Sequence, residues 1–117
     1  MTPADSTGFR HFHEQLDQLK QRLLDMSERA EALVDLSVDA LLHRDAGKAD
    51  AVIEGDAEID SLEVEVEGLA VSLLALQQPM ARDLRFIISA IKISSDLERV
   101  GDHAVNISQS TQRLVAM

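Results

Sequence analysis

The sequence predicts an all-α protein, an antiparallel up-down-up three-helix bundle, and three observations predict it. Three long stretches repeat apolar residues at alternating steps of three and four; two short breaks rich in Gly, Pro, Asp and Gln separate them; and the composition favours helix throughout. In 117 residues there are 3 Phe, no Trp, no Tyr and 2 Pro, against many Ala, Leu, Asp, Glu, Gln and Arg. A chain of this length builds one core. A single domain over residues 1–117 is therefore expected, with helices at about 8–44, 47–77 and 79–114.

The first helix follows from Phe9, Phe12, Leu16, Leu19, Leu23, Met26, Ala30, Leu33, Ser37 and Ala40, a sustained heptad seam. The run Ser6-Thr7-Gly8 is expected to cap its start, and His43-Arg44 suits its C-terminus, where cations complement the helix dipole. Asp45-Ala46-Gly47 is expected to supply the turn and cap. The second helix carries Val52, Ile59, Leu62, Val66, Leu69, Leu73 and Leu76 and stops before Gln77-Gln78-Pro79, because proline disfavours helical geometry in the residue before it. The third, from about Met80 to Leu114, carries Leu84, Ile87, Ile88, Ile91, Leu97, Val105 and Ile107. Short links force neighbouring helices to run antiparallel, giving helices roughly 45–50 Å long.

A formal net charge of -10 opposes binding to nucleic-acid phosphates or anionic lipid, so cations and basic protein surfaces are the expected partners. Cysteine is absent, which removes disulfides, thiolate metal sites and cysteine nucleophiles together. No stretch approaches the roughly 20 apolar residues of a membrane span, and Met1 to His13 lacks the apolar run of a signal peptide. A cytoplasmic location is expected. No glycine-rich phosphate cradle, nucleophile elbow or Ser-His-Asp order is present, so a non-enzyme is expected.

Acidic residues intrude on the packing faces. On a wheel at about 100° per residue, Leu84, Ile88, Ile91 and Val105 form one face of the third helix, with Glu98 and Asp102 in its middle. On the second helix Asp56 and Glu63 flank Ile59, and Asp60 sits at the edge. Asp60 and Asp56 lie 16 and 20 residues before Leu76, while Glu98 and Asp102 lie 18 and 22 residues after Met80, so antiparallel pairing brings them to one level. Uncompensated, such a cluster costs several kcal/mol per buried ion. Asp56, Asp60, Glu63, Glu98 and Asp102 are therefore candidate ligands for iron foremost, or manganese, zinc, magnesium or calcium, all suited to oxygen donors. The alternative is a splayed helix pair that leaves the acids in a solvated groove, with Arg99, Arg82 or Lys92 as partial partners. His11, His13, His43 and His103 are read as surface or supporting residues. None stands three residues after a glutamate, so the Glu-x-x-His signature of di-iron oxygenases is missing.

The stretch Asp96-Leu97-Glu98-Arg99-Val100-Gly101-Asp102-His103-Ala104-Val105-Asn106-Ile107 resembles the signature helix of the PhoU family, an acidic residue, three others, then Asp. Gln77-Gln78-Pro79-Met80-Ala81-Arg82-Asp83-Leu84-Arg85 is similar to the family's turn into that helix, and Asp56-Ala57-Glu58-Ile59-Asp60-Ser61-Leu62-Glu63 to its preceding acidic segment. The resemblance implies a PhoU-like, spectrin-like bundle and a negative regulator of phosphate uptake and of transcription in the phosphate-starvation response. It also implies contacts with a sensor histidine kinase and the phosphate transporter's ATPase, peripheral to the membrane complex, and in some members metal clusters on the acidic motifs. Family members usually carry two tandem repeats, so this chain is expected either to form a homodimer or to be half of a longer protein. The rival readings are a metal-storage or metal-sensing bundle, a regulator of another ion transporter, and a purely structural coiled-coil module.

Overall fold

The computed structural model describes the backbone of residues 3–76 and 81–117, and side chains over 10–75 and 81–117. Three helices account for nearly all of it: α1 Pro3–Leu42, α2 Ala46–Leu76 and α3 Ala81–Ala116. Each packs against the other two, forming a rod of 69 × 20 × 16 Å. The all-α bundle expected from the periodicity is the structure found. At about 1.5 Å per residue α1 runs to roughly 60 Å, beyond the expected length. It opens at Pro3, where proline suits the first turn, so Ser6-Thr7-Gly8 lies inside the helix instead of capping it. The expected stop at Gln77-Gln78-Pro79 falls outside the described residues.

The α1–α2 corner is built differently from the sequence expectation. α1 ends at Leu42, and Arg44 turns the chain with φ 49°, in the left-handed region. Asp45 N–H donates to Ala40 C=O at 2.9 Å and Arg44 N–H to Leu41 C=O at 3.4 Å, the paired bonds of a Schellman cap. An arginine thus holds the position that glycine usually fills, while Gly47 sits in α2 with ordinary φ. Asp45 then caps α2: its Oδ1 accepts from Lys48 N–H at 3.0 Å. Asp39 accepts hydrogen bonds from Lys48 Nζ and pairs with His43 Nδ1 at 3.0 Å, tying the corner together.

Two apolar clusters fill the rod. One joins Phe12, Leu16 and Leu19 of α1 to Val66, Ala70 and Leu73 of α2 and to Ile87 and Ala90 of α3. The other joins Met26, Ala30 and Leu33 to Val52 and Ile59 and to Ala104. Among the described residues the α1 and α2 seams thus pack inward as their spacing predicts, Phe9 and Leu76 having side chains outside that set. α3 does not pack on the expected face. Its buried residues are Ile87, Ala90, Ser94, Gly101, Ala104, Ser108 and Thr111, whereas Leu84 and Ile88 are exposed and Ile91 and Val105 sit at the rim. Small side chains bring α3 close to its neighbours, and Ser94 and Thr111 satisfy their hydroxyls on the carbonyls of Ile91 and Ile107.

The Arg44 conformation is costly for any residue with a Cβ. Arg44→Gly should raise unfolding free energy by about 1 kcal/mol in urea titration, with the helical spectrum unchanged.

Candidate functional site

The register of α2 against α3 positions the site. Gln112 Nε2 donates to Asp50 Oδ1 at 2.5 Å, Asp56 lies against Gly101, and Glu63 shares a hydrogen bond with Glu98. These three contacts descend one helix while climbing the other, so the pair is antiparallel. All five sequence-predicted acids, Asp56, Asp60 and Glu63 on α2 and Glu98 and Asp102 on α3, consequently occupy one level. They stand at the rim of the packing surface instead of its middle, because the α3 face is rotated toward its small residues. Asp56, Glu63 and Glu98 are half-buried, while Asp60 and Asp102 are exposed.

Their electrostatics show an uncompensated cluster. Burial, then the charges of Asp60, Asp102 and Glu98, push the Asp56 carboxyl above its usual range. Burial and the charges of Glu98 and Asp102 do the same to Asp60. Glu63 is pushed up to about 7, first by its hydrogen bond with Glu98, then by burial and by Glu98, Glu67 and Asp60. A carboxyl–carboxyl hydrogen bond needs a proton on one partner, so this pair holds its last proton near neutrality.

Cations nearby are engaged elsewhere. Arg22 pairs with Asp25 and Glu65, Arg29 with Glu58, and Arg99 with Asp96 at 3.9 Å. Among the described residues, no ion pair reaches the five acids. Asp56 Oδ1 is buried without a hydrogen-bond partner. Its oxygens and those of Glu63 and Glu98 are hard donors suited to a hard cation. Among the described residues, however, no three or more His, Asp or Glu side chains form a group able to hold one ion. The acids form an open row along the α2–α3 edge, not a closed cage. His11, His13, His43 and His103 are exposed and belong to no such group.

Gly101 is a residue that the sequence reading missed. A Cβ there would stand 2.7 Å from Asp56 Oδ1 and 3.2 Å from Ile59 Cδ1, so the bare backbone makes room for the Asp56 carboxylate between Glu98 and Asp102. The signal was available: an isolated glycine inside a strongly helical pattern marks close approach. Glu67 was missed too, since it lies one turn past Glu63 and acts through its field.

Comparison with known proteins bears on the same stretch. A family model described as "PhoU domain" matches residues 23–111, which hold all five acids and Gly101. The chain is 40% identical over 104 residues to a "Phosphate-specific transport system accessory protein PhoU homolog" of Clostridium acetobutylicum, covering 88% of this chain and 48% of that protein. The Aquifex aeolicus protein of the same description is 40% identical over 96 residues, covering 82% and 43%. The Caulobacter vibrioides one is 42% identical over 100 residues, covering 86% and 44%. The chain thus spans less than half the length of these relatives. Among the described residues no helix is long and apolar enough to cross a membrane.

Two outcomes are expected. Folded Glu63 holds its proton up to about 7 and the unfolded residue only to about 4.5, so between those values the folded state binds more protons and stability falls as pH rises. The thermal midpoint should therefore climb by several degrees on going from neutral pH toward the lower value, and Glu98→Gln should flatten that dependence. Gly101→Leu should cost about 1–3 kcal/mol through overpacking. Gly68→Ala, whose Cβ meets nothing within 4 Å, should instead gain about 0.5–1 kcal/mol, both read by denaturant unfolding.

Proposed function

The chain belongs to the PhoU domain family, and from that membership we propose that it is an accessory regulator of phosphate uptake, acting by binding and not by catalysis. The observation that carries this reading is the meeting of Asp56, Asp60 and Glu63 with Glu98 and Asp102 at one level, inside the stretch shared with the family. An acidic row open along one edge, half-buried at Asp56, Glu63 and Glu98 and exposed at Asp60 and Asp102, is a contact surface that reads positive charge. In this proposal the regulator works on the cytoplasmic side, touching the phosphate transporter's ATPase and a sensor histidine kinase, and thereby damps the transcriptional response to phosphate starvation.

The row also accounts for a cation in the proposal. Among the described residues no three of these acids form a group that holds one ion, so iron, manganese, zinc or magnesium would sit against Asp56, Glu63 or Glu98 singly or in pairs, with Asp60 and Asp102 beside them. The cation would offset the like charge that adds to burial at Asp56 and to the Glu98 hydrogen bond at Glu63. The buried, unpartnered Asp56 Oδ1 supports this, and it favours the second reading, a bundle whose metal is itself the function. Pairing of two copies is part of the same proposal. The groove between α1 and α3, about 340 Å³, is lined by Leu23, Leu24, Phe86, Ile93 and Leu97 with Lys20 its one charge, so no cluster of like charges opposes a second copy there.

Deleting the gene should raise phosphate uptake and starvation-gene expression in phosphate-replete cells. Glu98→Gln with Asp102→Asn should fail to restore repression while folding at least as stably as the parent. Unchanged expression on deletion would remove the regulatory reading. Protein purified without chelator is then assayed by element analysis and solution mass: a stoichiometric metal whose removal abolishes the phenotype favours the metal reading, and a mass of one chain removes the pairing.

A further inference from the structure

α2 is apolar on two opposite sides. Its inner seam, Val52, Ile59, Val66 and Leu73, is fully buried. Its outer side carries a second heptad-spaced stripe, Ala57, Ser61, Val64, Gly68, Val71 and Ala75, and all six are exposed. Val64 is 69% and Val71 60% exposed. An amphipathic surface helix shows one apolar side; two indicate a helix with partners on both. The register set by Asp56 with Gly101 and Glu63 with Glu98 places Val71 level with Ile88, and Leu74 level with Leu84, across the α2–α3 edge. Ile88 is 54% exposed, and Leu74 and Leu84 are partly exposed as well. The outer α2–α3 face is therefore apolar toward the α2–α3 connection. It turns acidic about 6 Å further along, where exposed Glu67 precedes Glu63 and the carboxylate row.

We propose that this face docks an amphipathic helix of a protein partner, its apolar stripe ending in a cluster of Lys or Arg. The apolar half offers Val71, Leu74, Leu84 and Ile88, with Gly68 leaving open space for close approach of a second backbone and Val64 extending the stripe beside the acids. The acidic half offers carboxylates that no ion pair among the described residues reaches, so a basic end would meet unneutralised charge. A second copy of this chain does not fit. Two such faces packed in the same sense set acids against acids, and packed in opposite senses they bury each acidic half on apolar side chains. An anionic lipid surface is repelled by the same acids. The inference rests on the proposed action through partner contacts and names the surface that makes them.

The test uses the full chain and synthetic helices of about three heptads with an apolar stripe and a Lys cluster at one end or the other. Fluorescence anisotropy should show binding of one of them. The double variant Val71→Lys, Ile88→Lys should weaken it by about tenfold or more, as should reversing the peptide's charges. Leu42→Lys, exposed at the far end of α1, should leave it unchanged. No binding, equal binding of the charge-reversed helix, or indifference to the double variant overturns the proposal. In cells, the double variant is compared with the deletion strain. If deletion derepresses phosphate uptake and the folded double variant restores repression fully, this face is wrong and the regulatory reading stands. If deletion does nothing, the regulatory reading fails while the peptide measurement still decides the face.

Discussion

Close approach of α2 and α3 is the constraint on which the rest depends. It exists because α3 turns small side chains inward: Ala90, Ser94, Gly101, Ala104 and Ser108 occupy its buried face. At Gly101 the approach is such that a Cβ would stand 2.7 Å from Asp56 Oδ1. Side chains at the margins of that contact are then forced to one level with little room between them. Asp56 fits only because Gly101 has no Cβ, and Glu63 reaches Glu98 directly. The acidic row is thus a consequence of how α3 packs.

The row works against the fold at neutral pH. Burial and then like charge raise the Asp56 and Asp60 carboxyls, and the hydrogen bond with Glu98, then burial and like charge, raise that of Glu63, so each would be lower in energy with a proton or a cation beside it. The two apolar clusters that run the length of the rod carry that cost. Local destabilisation held in place by a well-packed core is the usual arrangement where a protein keeps charge ready for a ligand. The surface ion pairs, Arg22 to Glu65 and Arg29 to Glu58, lie on the α1–α2 edge and are exposed, so they contribute little and leave the α2–α3 edge uncompensated.

Most of the architecture was legible in the residues because α1 and α2 carry large aliphatic side chains at unbroken heptad spacing. α3 was misread by half a face. Leu84, Ile87 and Ile88 are all large aliphatics near its start, and only Ile87 is buried; further along, the buried face is carried by Ala90, Ser94, Gly101, Ala104 and Ser108, small residues that a wheel weighted by hydrophobicity does not see. The levels of the acids survived that error, since height along a helix depends on residue count and not on rotation. Their burial did not survive it: Asp102 lies in solvent, at the rim of a surface whose middle is Gly101 and Ala104. The α1–α2 corner was legible only in part. Asp45 caps α2 within the turn that Asp45-Ala46-Gly47 announced, but Arg44 in a left-handed conformation breaks the preference that makes Gly47 the obvious cap of α1, and the contact of Asp39 with Lys48 joins one helix to the next.

The acids that would hold a cation are also those that would receive a basic partner helix, and both would compete with the proton near Glu63. Three ligands of one charge cluster cannot act independently. Whatever neutralises the row first lowers the electrostatic gain left for the others, and by thermodynamic necessity the coupling is the same in both directions. A partner engaging the acidic half would therefore displace the Glu63 proton, and a bound cation would weaken the partner's basic end while leaving the apolar half of the face untouched. The apolar residues Val71 and Ile88 would then set how much contact persists once the charge is neutralised, and Asp56, Glu63 and Glu98 how strongly that contact answers to metal and pH.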